Sequence, residues 1–271
     1  MSTIIVQRLD GTTYDLDALD FHVKKFDIPL TNYSYNYQQI GNYGALLTSA
    51  QAQQLTIPLT LDVIARDLDD YNLQLFKLRR IFMSNEDFYV INSLIPYLRW
   101  RCRAEAVTPT QNGNFWRATD VAINLDVPSG FAESVATTQT AVDFNAAQWG
   151  FGEGIPDQNL TYTYDSDDFS FWNLGMIPLT ADERPVSITF KGDAPNGFTL
   201  TNKTTNQSYK ITRGVSKSDT VVINGVMPSF NGQQSYKDCD HKYIDYVPGE
   251  NKMHIDGASN FTIAYDTRFY Y

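Results

Sequence analysis

The sequence predicts a mainly β protein in two parts: an N-terminal β-sandwich or split barrel carrying one α-helix, and a C-terminal antiparallel β-sandwich. Three observations predict it. Only the stretch 66–90, RDLDDYNLQLFKLRRIFMSNEDFYV, keeps its apolar residues at a helical period. Aromatic residues make up 14% of the 271, led by 17 Tyr and 16 Phe, and such residues suit a pleated sheet. From about residue 165 onward, short alternating runs are separated by Asn-Gly, Pro-Gly and Asp-Gly turn signals, with no helical period among them.

With 42% hydrophobic residues a chain of this length can build two cores without disulfide staples. Cys102 and Cys239 lie far apart in sequence and read as free thiols rather than as a framework or a zinc site. The formal charge of -10 argues against a phosphate-binding surface, so no sequence-specific nucleic-acid binding is expected. No run approaches the roughly 18 apolar residues of a membrane span, and the opening MSTIIVQRLDG lacks a basic-then-apolar leader. A soluble product of the cytoplasm with no membrane insertion is therefore expected.

In chain order, residues 3–9 and 12–16 flank Asp10-Gly11 and predict a hairpin with a tight two-residue turn. A third strand over 19–26 ends before Pro29, which cannot donate to a ladder. Residues 31–54 are polar and aromatic with few charges and read as loops. They give way to a strand over 54–64, where Leu55, Ile57, Leu59, Leu61 and Val63 alternate at a strict period of two. In the helix that follows, Leu68, Tyr71, Leu75, Leu78 and Phe82 form the inner stripe. Asp67 is the N-cap, with Asp69 and Asp70 in the first turn and Lys77, Arg79 and Arg80 toward the end, each sign suiting the helix dipole. Leu73, Phe76 and Ile81 fall off the stripe, so the outer face meets either a neighbouring subunit or more of its own domain. Strands follow at 88–91, 97–107 and 115–127. Arg99, Arg101 and Arg103 share one sheet face, read as solvated and paired to local carboxylates in preference to an intersubunit contact.

The N-terminal domain is bounded at 1–130. A linker occupies 131–164, rich in small residues and weakly periodic, with glycines at 150, 152 and 154 around Trp149. The C-terminal domain takes 165–271, with strands over 186–191, 197–202, 208–212, 220–223, 243–247, 252–255 and 260–265.

Little in the chain points to catalysis. His22, His241 and His254 are the three histidines, none at a motif spacing from a nucleophile. Asp238, Cys239, Asp240 and His241 are consecutive and cannot all point at one ion without an unusual turn. Asp165, Asp167 and Asp168 alternate like a calcium loop but lack its glycine and closing glutamate. No glycine-rich phosphate loop leads into a helix. No catalytic residue, cofactor or metal is expected, which leaves binding or assembly.

The order of parts resembles the distal tail protein (Dit) family of long-tailed phages with flexible tails, the siphophage tail components. The N-terminal half is similar to the family's tail-component domain through IIVQRLDGTTYDL, QQIGNYGALL, QLTIPLTLDV, DLDDYNLQLFKLRRIF and YLRWRCRAEAV. The C-terminal half resembles it more closely, through FSFWNLGMIPLTADERPVSITFKGDAPNGFTLTNKTTNQSYKITRG, TVVINGV and YVPGENKMHIDGASNFTIAYDTRFY. Phe171, Asn173, Gly175, Asp219, Thr220, Gly225, Pro248, Gly249, Asn251 and Gly257 are the positions that carry the likeness.

The resemblance implies a structural virion protein at the phage tail tip, without enzymatic activity, whose C-terminal sandwich is galectin-like. It implies a homohexameric ring joining the tail tube protein above to a tail-associated fibre or lysin protein below, carrying receptor-binding proteins in some members. Longer members hold an inserted carbohydrate-binding domain for which no segment here is long enough. The candidate ring interface is Gln38, Gln39, Ile40, Tyr43, Leu73 and Phe76, because tyrosine-rich polar loops and an outward helix face suit an ordered interface. The alternative is a carbohydrate-binding adhesin recognising host cell-wall sugars, with Trp172, Tyr236, Tyr243 and Tyr246 as stacking surfaces.

Overall fold

A computed structural model describes residues 3–141, 148–150 and 160–271. The chain divides into two compact units, Met1–Glu133 and Ser134–Tyr271.

In the first unit β1 (Ile4–Arg8) and β2 (Thr13–Asp15) form the expected hairpin. Its loop has three residues rather than two. The Arg8 amide donates to Thr12 O at 2.8 Å and the Gly11 amide to Arg8 O at 3.0 Å, with Gly11 at φ +88° and Asp10 not left-handed. This is a turn closed by one left-handed glycine, not a turn with positive φ at both centres. Then come β3 (Phe21–Phe26), β4 (Tyr33–Gln39), β5 (Ala45–Ala52), β6 (Leu55–Ile64), α1 (Leu68–Ile81), β7 (Phe88–Asn92), β8 (Leu98–Ala104) and β9 (Arg117–Val127). The main sheet runs β2-β1-β7-β8-β9-β6-β3. Its backbone is the β6–β9 pair, from Leu55 opposite Val127 to Leu61 opposite Val121, whose alternate residues are buried as the period of two requires.

Helix α1 covers this sheet, packing on β6. Asp67 caps it by accepting the Asp70 amide at 2.9 Å. Its buried residues are Tyr71, Gln74, Leu78 and Ile81, an arc rotated from the expected stripe: Leu68 is half exposed, and the off-stripe Ile81 is core. Leu73 and Phe76 face outward. The arginine face is paired locally. Arg101 and Arg103 both reach Asp87, at 2.7 and 2.5 Å, and Arg99 reaches Glu133. Partial burial raises the Asp87 carboxyl, but hydrogen bonds from Arg103 and Arg101 outweigh it and hold the group below the usual range.

Residues 31–54 are not loops. β4 and β5 pair as a separate two-stranded hairpin, Tyr33 opposite Ala52 through Gln39 opposite Ala45, with a bulge at Asn36/Tyr37. From Ile28 to Leu61 no residue carries a charge.

The strand β10 (Glu133–Ser134) spans the junction of the units in sequence. The second unit continues with β11 (Thr163–Tyr164), β12 (Asp168–Asn173), β13 (Ser187–Asp193), β14 (Phe198–Asn202), β15 (Gln207–Ile211), β16 (Val221–Asn224), β17 (Met227–Phe230), β18 (Gln233–Gln234), β19 (Gly249–Asp256) and β20 (Ser259–Asp266). Two antiparallel sheets, β11-β20-β13-β16-β17-β18 and β12-β19-β14-β15, enclose an aromatic core that includes Phe171, Phe190, Phe198, Tyr246, Tyr265 and Phe269.

The expected strand at 243–247 is instead a coil touching Leu179 through one bridge at Tyr246, and between the expected strands at 220–223 and 243–247 the chain forms β17 and β18. The linker reading is also corrected where residues are described. The Ser134 amide donates to Phe269 O at 2.8 Å and the Thr138 amide to Thr267 O at 3.0 Å, while Trp149 is 2% exposed and packs its ring near Phe269. These residues are part of the second unit's core, because a large indole gains more by burial than a tether would by freedom. Gly152 and Gly154 lie outside the described residues.

Candidate assembly surface

The β4–β5 hairpin is stabilised at its base and along its length, but not by burial. Gln53 N donates to Asn32 O at 2.8 Å and Thr31 Oγ1 to Gly130 O at 3.0 Å; along the ladder Asn36 Nδ2 donates to Ser49 Oγ at 2.9 Å. Every residue of β4 is exposed, and all but one of β5. Tyr33, Tyr35 and Tyr37 line up with ring centroids 6.4 and 6.5 Å apart, and Leu46 and Leu47 stand across from Gln38 and Tyr37. At the tip Ile40 is 55% and Tyr43 94% exposed. Two-stranded hairpins are marginal in water, and both strands here are edges without the charges or prolines that discourage pairing. Such a surface gains by being covered.

Gln38, Gln39, Ile40 and Tyr43 therefore lie together at the end of this hairpin. Leu73 and Phe76 form a second patch on α1, where the Arg79 guanidinium sits 5.6 Å from the Phe76 ring centroid. The hairpin as a strand pair was not read from the sequence, although Tyr33, Tyr35 and Tyr37 alternate with Ser34 and Asn36 at a period of two.

The sugar candidates do not make a stacking surface as a set. Tyr246 is 1% exposed, its ring 4.7 Å from Phe171 and at a right angle to Tyr265, so it is core and cannot meet a ligand. Trp172 is half-buried on β12, Tyr243 is exposed, and the exposed Tyr236 covers His241 at 4.2 Å.

The titratable groups are occupied structurally. Cys239 Sγ donates to Tyr236 O at 3.1 Å and lies 3.5 Å from His241 Nδ1; Asp240 accepts the Lys210 amide. Asp168, from the acidic turn, pairs with Lys203 and with His254. Burial pushes the Cys102 thiol well above its ordinary range. Among the described residues no group of three His, Cys, Asp or Glu is placed to hold a metal ion, and no helix is long and apolar enough to cross a membrane.

The positions that carried the family likeness have physical jobs. Asn173 Nδ2 donates to Ile177 O at 3.0 Å and its Oδ1 accepts the Gly175 amide; a Cβ at Gly175 would lie 2.7 Å from Tyr270 O. Asn251, fully buried, donates to Val247 O at 2.8 Å and accepts from Asn202 Nδ2 at 3.0 Å. Asp219 accepts from Asn231 Nδ2 and Ser216 Oγ, tying two turns together.

Comparison with known proteins agrees with these assignments. Residues 9–127 match the family described as phage tail protein RIFT-related domain, and residues 180–269 match the siphovirus-type tail component, C-terminal domain. No curated protein matches the sequence. In fold, the chain is similar to the crystal structure of the Dit protein (gp 19.1) of phage SPP1, at 13% identity and a TM-score of 0.72 over 99% of both chains. It is also similar to a chain of the phage p2 baseplate in its activated conformation, at 11% identity and TM-score 0.52 with strontium, over 98% of both chains. With calcium the values are 10% and 0.53, over 99% of this chain and 98% of that one. With one domain model on each unit and the fold of the whole chain in common, the protein belongs to the siphophage tail components of the distal tail family and is a structural component of the virion tail.

Proposed function

We propose that the protein closes into a six-membered ring at the tail tip, through the first unit, and joins the tail tube to the tail-associated fibre or lysin protein beyond it. The observation that carries this is the uncharged, solvent-exposed β4–β5 hairpin: its open edges and its tyrosines and leucines gain a cover only from another chain. A contact between unlike patches of successive copies generates a ring when the rotation closes. Gln38, Gln39, Ile40 and Tyr43 supply one patch, and Leu73 and Phe76 another. The SPP1 relative is described as a hub of the adsorption apparatus in phages infecting Gram-positive bacteria, and the p2 relative as part of a baseplate, both in keeping with a hub role. The reading is of a scaffold without enzymatic activity, whose second unit remains available for other tail proteins, receptor-binding ones among them.

Native mass spectrometry and negative-stain imaging of the protein, alone and mixed with tail-tube protein, test it. Six-protomer particles with a central hole are expected, lost in Leu46→Ser/Leu47→Ser and in Phe76→Glu, all at exposed positions. A monomer in both mixtures, or rings indifferent to these substitutions, would overturn the reading.

A further inference from the structure

Beside the end of α1 the first unit carries a hollow of about 270 Å³. It opens where β8 leaves the sheet. The Glu105 amide makes the last ladder bond, to Asn124 O at 2.9 Å, and Pro109, which has no N–H, cannot extend the pairing. Among the described residues no backbone hydrogen bond engages residues 106–110. Leu78 and Phe82 of the helix, Ile123 of β9, and Val107 and Pro109 of the departing segment give the hollow its apolar lining.

This volume is below the roughly 300–1,000 Å³ of a small-molecule site and far above that of a water, so the hollow has the size of one side chain. Arg79 borders both the hollow and the Phe76 ring, whose centroid lies 5.6 Å from its guanidinium, so the hollow continues the Leu73 and Phe76 patch. Glu105 also lines it, spending Oε2 on Asn124 Nδ2 at 2.8 Å and keeping Oε1 for a further donor. An apolar interior with an acceptor at its margin suits a tyrosine, whose ring is apolar and whose end is a hydroxyl. Tyr43 stands 94% exposed at the tip of the β4–β5 hairpin, where Gly41 at φ +58° and Gly44 at φ +95° turn the chain. That exposure shows that the hollow of its own copy does not hold it. The tip carries no charge, so it can enter beside Arg79 and Glu105 without burying an unpaired one.

We propose that the hollow receives the Tyr43 side chain of a second copy, its ring in the apolar lining and its hydroxyl donating to Glu105. This rests on the ring reading and adds which side chain enters which part of the neighbour. Each copy offers one tip and one hollow, the unlike pair that a closed ring repeats.

Bridging introduced cysteines with a short bismaleimide tests it in the full-length protein, alone and mixed with tail-tube protein; the native Cys102 and Cys239 are both buried. Asn42→Cys and Thr108→Cys alter exposed positions flanking Tyr43 and the hollow. The protein carrying both changes is expected to give a covalent ladder reaching six protomers, and a mixture of the two single variants to give only dimers of one with the other. Tyr43→Ser and Ala106→Trp, the second filling the hollow from an exposed position, are each expected to weaken assembly by about tenfold or more while keeping the thermal midpoint. The two together should weaken it no further than the worse one alone. Rings that form without the ladder, that tolerate both substitutions, or whose losses multiply in the double variant would overturn this assignment and leave the ring reading standing. A monomer throughout would overturn both.

Discussion

The ring of Phe190 on β13 lies over that of Phe198 on β14, centroids 4.2 Å apart and planes 26° apart, so that one stacked pair joins the two sheets of the C-terminal sandwich. Both are buried. Either Phe→Ala change removes a large side chain that the surrounding strands cannot replace, and is expected to destabilise the second unit by about 3–5 kcal/mol. Because each ring is the other's neighbour, the double variant should cost less than the two losses added, by about 0.5–1.5 kcal/mol. Calorimetry resolving the second unit's transition checks both values, and strict additivity would show the stack to be incidental.

The second unit needs the residues just after the junction. A fragment starting at residue 165 lacks Ala136, Trp149 and Tyr162, which belong to its core, and loses the bonds from Ser134 and Thr138. It is expected to expose apolar surface and bind a hydrophobic dye, whereas a fragment starting at residue 134 should unfold cooperatively. In the full chain Trp149→Ala should cost about 3–5 kcal/mol. A well-folded 165–271 fragment with sharp amide resonances would contradict this.

Asp67→Ala removes the cap of α1 and is expected to cost the first unit about 1 kcal/mol, whereas Asp67→Asn, which keeps the accepting oxygen, should cost much less. Denaturant midpoints of the first unit's transition distinguish them. Equal losses would assign the effect to charge at the helix start, not to the hydrogen bond.

Hydrogen bonds from Asn231 and Ser216 depress the Asp219 carboxyl from 3.8 to about 2. A folded value below the unfolded one means the contribution is complete above about pH 4 and is lost as pH falls toward 2. Amide resonances of residues 216–220 and 231 should shift together through that window, and Asp219→Asn should remove the transition. A transition persisting in that variant would point to other carboxylates.

How much of this was legible depended on burial. β6 could be read because one face of its sheet is covered, which buries Leu55, Ile57, Leu59, Leu61 and Val63 in turn, and α1 because Asp67 begins a long period. The rotation of α1 could not: Leu68 sits on the ideal stripe yet faces water, and Gln74 breaks the stripe yet is buried, since the helix is seated by its contact with β6 rather than by its own pattern. The β4–β5 hairpin was missed because neither face is covered: β5 shows no apolar alternation, and the alternating tyrosines of β4 mark no core face. β17 was hidden by Pro228, ordinarily a mark against a strand. It is tolerated because Pro228 O accepts the Ser235 amide at 3.0 Å, so its ring nitrogen faces the short edge strand β18 and no bond to β16 is lost. At the candidate assembly surface, Leu73 and Phe76 lie off the helical stripe and are exposed, whereas Ile81, off the stripe as well, is core. Tyr246 went the other way: an aromatic residue in an irregular segment carries no sign of which side of the chain is core.

The absence of charge from Ile28 to Leu61 also has an environmental consequence. Counterions screen attractions between charges over about 10 Å at 0.1 M salt, and protons titrate them, but neither acts on a contact made of tyrosine rings, amides and aliphatic groups. A joint formed through this hairpin would feel ionic strength chiefly through its other side, where the Arg79 guanidinium lies beside Phe76.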